Sequence, residues 1–178
     1  MAQKKNPREY TDYERKLQRY YRIGFISEFS KICIFLVVFA LLGLIPEYII
    51  ALLALISLRS NGGGLHFNHY FSCLIVSFVF IYSSIFLSIH IMPPQIIIYI
   101  GMLLCALIGY ILVPITSTNR PPATSVQKTK SKRNTTIIIL FYFILLCICP
   151  NTTWSLICYW TVILHILQLI IAYIIGRR

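Results

Sequence analysis

Residues 71–92 read FSCLIVSFVFIYSSIFLSIHIM, a stretch without one formally charged side chain. About 20 such residues, at 1.5 Å each, cross a hydrocarbon core about 30 Å thick, so this stretch has the makings of a membrane span. Backbone N–H and C=O groups find no water in lipid and must pair within the segment, which makes the span a helix. Gln95–Thr116 and Trp154–Gly176 repeat the pattern downstream. Shorter apolar blocks occupy Ile32–Ile45, Tyr48–Leu58 and Thr136–Cys149, with Pro46-Glu47, Pro93-Pro94 and Pro150-Asn151-Thr152-Thr153 as breaks. The expected fold is all-α: a polytopic integral membrane protein of about six transmembrane helices, forming a single membrane-embedded domain over residues 1–178. The first two blocks cover only about 16–21 Å as helices, so they either lengthen or form a re-entrant hairpin. Lengthening the first back to Gly24 would let Glu28 and Lys31 pair or snorkel. Residues 1–30 are basic and polar, and Tyr10–Phe29 alternates charges with apolar side chains, as an interfacial amphipathic helix does. That segment lacks the short apolar core and small-residue cleavage site of a signal peptide.

Charged residues make up 12% of the chain, about half the share usual in soluble domains. Sixteen Lys and Arg face five acids, for a net charge of +11. The acids are Glu9, Asp12, Glu14, Glu28 and Glu47, and no carboxylate side chain follows Glu47. This removes paired-carboxylate catalysis and acidic proton relays from most of the chain. The basic residues cluster beside apolar blocks, as cytoplasmic loops of membrane proteins do, so the bilayer and not nucleic acid is the expected partner. The basic loop Ser117–Arg133 carries Arg120, Lys128, Lys130, Lys132 and Arg133 without an acid. With the basic N-terminus, Arg59 and Arg177-Arg178, it puts both termini and the Arg59 region on the cytoplasmic side, consistent with six crossings. Five cysteines (Cys33, Cys105, Cys147, Cys149, Cys158) lie in apolar blocks without metal-site or disulfide-framework spacing and read as small hydrophobes.

The chemistry concentrates at Arg59–Cys73, which reads RSNGGGLHFNHYFSC. Three successive glycines cost a helix about 1 kcal/mol each against Ala, and they allow backbone that other residues avoid. Such a break is tolerated at membrane depth only where it is buried in protein or lines a wet cavity. His66, His69 and Cys73 follow. A cysteine nucleophile needs a base to form the thiolate, and either histidine is a candidate. On a straight helix, His69 and Cys73 would share a face about 6 Å apart, whereas His66 lies about 10.5 Å along the axis and needs a bend. Spacing therefore favours His69. In the alternative reading, one histidine faces the headgroups and Cys73 merely packs. A metal centre lacks a fourth ligand nearby, and no cofactor is indicated.

Arg59, Gly63-Gly64, His66 and Cys73 resemble the Arg…Gly-Gly-x-His…Cys signature of the AgrB family of quorum-sensing membrane endopeptidases. Val113-Pro114 followed by Thr118-Asn119-Arg120-Pro121 is similar to the stretch after that family's fourth block. The chain departs from the pattern at Gly62, a third glycine, and at Leu65, where an aromatic residue is common. The resemblance implies a cysteine endopeptidase of the bacterial cell membrane with Cys73 as nucleophile and His66, not His69, as base. It also implies an AgrD-like propeptide as substrate, whose acidic C-terminal tail is removed through an acyl-thioester that an internal Cys or Ser then closes into a ring. Arg59, Gly63, Gly64 and Arg120 are the expected substrate-binding residues, with His69 and Asn68 secondary. Any third group would be neutral (Asn61, Asn68, Ser72 or a carbonyl) or Glu47; Glu47 is expected on the opposite membrane side, so a neutral partner or none is favoured. A homodimer is a further expected partnership. The alternatives are a small transporter, for which only His90 and His165 lie within spans, and a non-enzymatic accessory subunit.

Overall fold

A computed structural model describes residues 7–64, 69–114 and 125–176. Six helices run through them: α1 (Pro7–Leu41), α2 (Ile45–Gly62), α3 (Tyr70–His90), α4 (Gln95–Leu112), α5 (Ser125–Ile148) and α6 (Thr153–Gly176). The chain forms two compact units, Met1–Gly43 and Leu44–Arg178. Four of the helices, α3 to α6, are long and apolar enough to cross a membrane, so the expected all-α membrane fold holds and four of the six expected spans are supported.

In the first unit, α1 runs unbroken for 35 residues, about 52 Å at 1.5 Å per residue. The expected interfacial helix and first apolar block are therefore one element. Nothing between them breaks a helix except Gly24, at a cost of about 1 kcal/mol, and Lys31 pairs with Glu28 one turn away. Pro7 opens the helix, where its missing N–H costs nothing. Gly43 closes it in the left-handed region (φ 70°), donating its N–H to the Ala40 carbonyl at 3.1 Å.

The second unit begins with a longer α2 than the sequence suggested. Pro46 sits in its first turn and so starts the helix instead of breaking it, with Glu47 beside it at the positive end of the dipole. At the other end the helix runs past Leu58 through Arg59 to Gly62. α5 is longer too. The expected loop Ser117–Arg133 is helical from Ser125 onward, since Lys, Gln and Arg are good helix formers. Pro93 and Pro94 separate α3 from α4, and the Pro94 carbonyl accepts the N–H groups of Ile97 and Ile98. Thr152 caps α6, its Oγ1 accepting the Ser155 N–H at 3.3 Å.

α6 is the hub of this unit. Half of its span is buried, against 28% for α3 and α4 and 22% for α5, and it packs against α2, α3, α4 and α5. Leu58, Met102, Ile139, Val162 and Leu169 belong to the shared core. Close approach relies on small side chains, as it must between helices in lipid. A Cβ on Gly109 of α4 would stand 3.2 Å from Ile139 and 3.3 Å from Ile166. On α3, Ser84 and Ser88 are buried, and each donates its hydroxyl to the carbonyl three residues back. Cys105 and Cys158 are buried as expected, whereas Cys33 on α1, Cys147 on α5 and Cys149 just past the end of α5 are exposed.

Candidate functional site

The glycine run sits inside the bundle of the second unit. Gly62, the last residue of α2, is buried. A Cβ there would meet His165 Nε2 at 3.1 Å, Val113 Cγ2 at 3.5 Å and Thr135 Oγ1 at 3.7 Å. The helix stops at Gly63, whose φ of 80° only glycine adopts at little cost, and whose N–H bonds to the Arg59 carbonyl at 3.1 Å. Gly64 lies against the Arg59 guanidinium, with a Cβ position 3.5 Å from Nε and 3.7 Å from Gln168 Oε1. Arg59 thus folds back from the last turn of α2 over its own C-terminus, beside α6.

These contacts reveal side chains that the sequence reading left out of the site. Thr161, His165 and Gln168 form one stripe on α6 at helical spacing, and Thr135 faces the same break from α5. Thr135, Thr161 and His165 are fully buried and Gln168 nearly so. Both imidazole nitrogens, both threonine hydroxyls and Gln168 Oε1 have no hydrogen-bond partner among the described residues. Buried polar atoms are normally satisfied, so a group of five unsatisfied ones marks a place where something polar belongs. The signal in the sequence is the polar period 161, 165, 168 within an otherwise apolar block.

Cys73 occupies a different level. It lies in the first turn of α3, half-buried, with its N–H bonded to the His69 carbonyl at 3.2 Å. The Ile91 carbonyl at the far end of α3 accepts the Trp160 indole N–H at 3.3 Å, which sets the register between α3 and α6. From Ile91 to Cys73 is about 27 Å of helix, whereas Trp160 to His165 is about 8 Å. Cys73 therefore stands toward the end of the bundle, well beyond the polar stripe. His69 is the N-cap of α3, in extended conformation and exposed, so the straight-helix premise that favoured it over His66 does not hold.

His66, Asn68 and Arg120 lie outside the described residues. Among the other candidates for a third catalytic group, Asn61 is already engaged: its Oδ1 accepts from Asn134 at 3.1 Å and its Nδ2 donates to Ser60 Oγ at 3.0 Å. Ser72 is exposed. Glu47 lies in the first turn of α2 and Arg59 in the last, about 18 Å apart along the helix.

An apolar bundle with four helices able to cross the bilayer defines a helical membrane protein, with the buried glycine break and the half-buried cysteine as its candidate site. The model of the accessory gene regulator B (AgrB) family matches residues 2–170, and the chain belongs to that family. Membership supports a role in processing the quorum-sensing peptide of the accessory gene regulator system. Comparison with curated proteins gave no match, and neither did comparison with solved structures.

Proposed function

We propose that this chain is a membrane cysteine endopeptidase that trims an AgrD-like propeptide and primes it for cyclisation. His66 takes the Cys73 thiol proton, and the thiolate attacks the scissile carbonyl. The C–N bond then breaks, the imidazolium returns its proton to the leaving amine of the tail, and the rest of the peptide remains as an acyl-thioester. A thiol or hydroxyl within that peptide displaces Cys73 and closes the thiolactone or lactone. Site and termini face the cytoplasm in this reading, because every basic cluster falls on that side.

The observation that carries the reading, beside family membership, is the position of Cys73. Cys73 sits in the first turn of α3, half-buried, where water that would compete for the thioester is reduced. Four residues link Gly64 of the buried break to His69 at the N-cap of α3, and His66 is among them. Cys73→Ala should abolish cleavage of a propeptide reconstituted with the protein in liposomes, while membrane insertion is retained. The native protein should give a hydroxylamine-sensitive adduct with the peptide that Cys73→Ser does not give in that form. Full cleavage by Cys73→Ala would rule out the mechanism.

A further inference from the structure

The C-terminal turn of α4 and the first turns of α5 enclose a second polar place, remote from the glycine break in character and composition. A cavity of about 670 Å³ there has Lys128, Lys132, Arg133, Thr136, Tyr110 and Ile137 among its lining residues, within the size range of roughly 300–1,000 Å³ that holds small ligands. Three of the eight lining residues are cations, and the sequence offers no acid after Glu47 to neutralise them. Lys132 stands over the Tyr110 ring at 5.4 Å from its centroid. Thr136 Oγ1 is buried at the lining without a hydrogen-bond partner among the described residues.

The cavity also straddles a boundary. An 18-residue span counted back from Ile148 begins at Ser131, which sets Lys132 and Arg133 in the first turn of the membrane crossing, at headgroup depth. On the lipid side of that level, the exposed apolar side chains Tyr110 and Leu107 on α4 and Ile137 and Phe141 on α5 continue at helical spacing. The occupant thus needs an anionic head and an apolar tail. A free phosphate would use only the first part, and an acidic peptide has no call for the second.

We propose that the α4–α5 cleft binds an anionic phospholipid, with its phosphate against Lys128, Lys132 and Arg133 and an acyl chain along the Tyr110–Ile137 track. Basic pockets between membrane helices suit such headgroups. The test is native mass spectrometry of the full chain in detergent, titrated with phosphatidylglycerol or with phosphatidylcholine of the same acyl chains. Phosphatidylglycerol should stay bound where phosphatidylcholine does not. At about fivefold per cation, K132Q/R133Q should weaken it roughly 30-fold, and R15Q/R22Q, an equal charge loss elsewhere, should leave it unchanged. K128Q, at an exposed position that cannot disturb packing, should weaken it about fivefold and keeps the test decisive if the double variant misfolds. Equal weakening by R15Q/R22Q would reduce the effect to net charge and overturn the proposal. Displacement of the lipid by millimolar glycerol 3-phosphate or inorganic phosphate would make this an anion site without a lipid. Displacement by oligoglutamate at lower concentration than phosphatidylglycerol itself needs would assign the cleft to an acidic peptide instead.

Discussion

Gly62 and Cys73 belong to the same short polar stretch, yet their surroundings differ. Gly62 is enclosed by α5 and α6, where a methyl group would stand a tight 3.1 Å from His165 Nε2, whereas Cys73 is half-open in the first turn of α3. Under the proposed mechanism the nucleophile must meet its substrate, which would assign the reaction to the second place. The first is suited to holding the chain in one shape, since a buried break persists only where the surroundings over-determine it. On that proposal the stretch divides into an inner part that positions and an outer part that reacts, and substitutions in the two should fail in different ways.

The largest effect should come from the outer part. His66→Ala should slow cleavage about 10²–10⁴-fold, the usual worth of general-base help, while His69→Ala costs less than about tenfold. His69 is exposed at the N-cap, so its loss should leave folding intact. Cleavage rates at saturating propeptide decide between them. A larger loss for His69→Ala would move the base to the α3 cap.

The inner part should show itself in stability. Gly62→Ala brings a methyl group to 3.1 Å from His165 Nε2, and overpacking of this kind costs about 1–3 kcal/mol. Thermal unfolding in detergent should register that loss with the chemistry per folded molecule little changed. His165→Ala opens the space, so the double variant should recover part of it, with a coupling of about 0.5–3 kcal/mol expected for residues in contact. Strict additivity of the two losses would separate Gly62 from His165 and dissolve the inner part as a unit.

How much of this was legible in the sequence follows from the kind of signal each feature leaves. Uninterrupted apolar runs such as Phe71–Met92 mark α3, α4 and α6, because the bilayer demands both length and composition. The turn at Pro93-Pro94 was equally plain. The extents of α1 and α5 were not, because charged helical turns such as Lys128–Arg133 look like loop by hydropathy while their residues favour helix. Pro46 was misread because proline breaks a helix within it and starts one at its first turn. Glu28 and Lys31 pair as lengthening of the first block implied. The inner stripe escaped because it joins α2, α5 and α6, and only the packing brings Thr135 and His165 to Gly62 and Gln168 to Gly64. Cys73 was legible as a candidate because reactive thiols sit near polar breaks. The weight given to His69 rested on a helix that begins one residue too late to include it.

Arg59 sits where the two parts meet, and its substitution should give the smallest and most discriminating effect. Its guanidinium lies over Gly64, with Nη2 3.9 Å and Nε 3.5 Å from the Cβ position, and Gln168 Oε1 borders the same spot. A lysine there keeps the charge but replaces a planar fork with a single ammonium, which cannot donate in two directions at fixed geometry. Arg59→Lys should therefore lower kcat/KM for the propeptide by about tenfold, near 1.4 kcal/mol of transition-state binding. If Arg59 serves the inner part by holding the glycine break, the loss appears in kcat and in the thermal midpoint and is indifferent to the charge of the peptide's tail. If it serves the outer part by gripping a carboxylate of that tail, the loss appears in KM and vanishes with a tail whose acids are replaced by amides. Measuring both peptides with both proteins, at low and high salt, separates these outcomes, since a half-buried contact is screened far less than one on the exposed Lys128–Arg133 turns. Equal kcat/KM for Arg59→Lys and the native chain with either peptide would leave Arg59 with neither role.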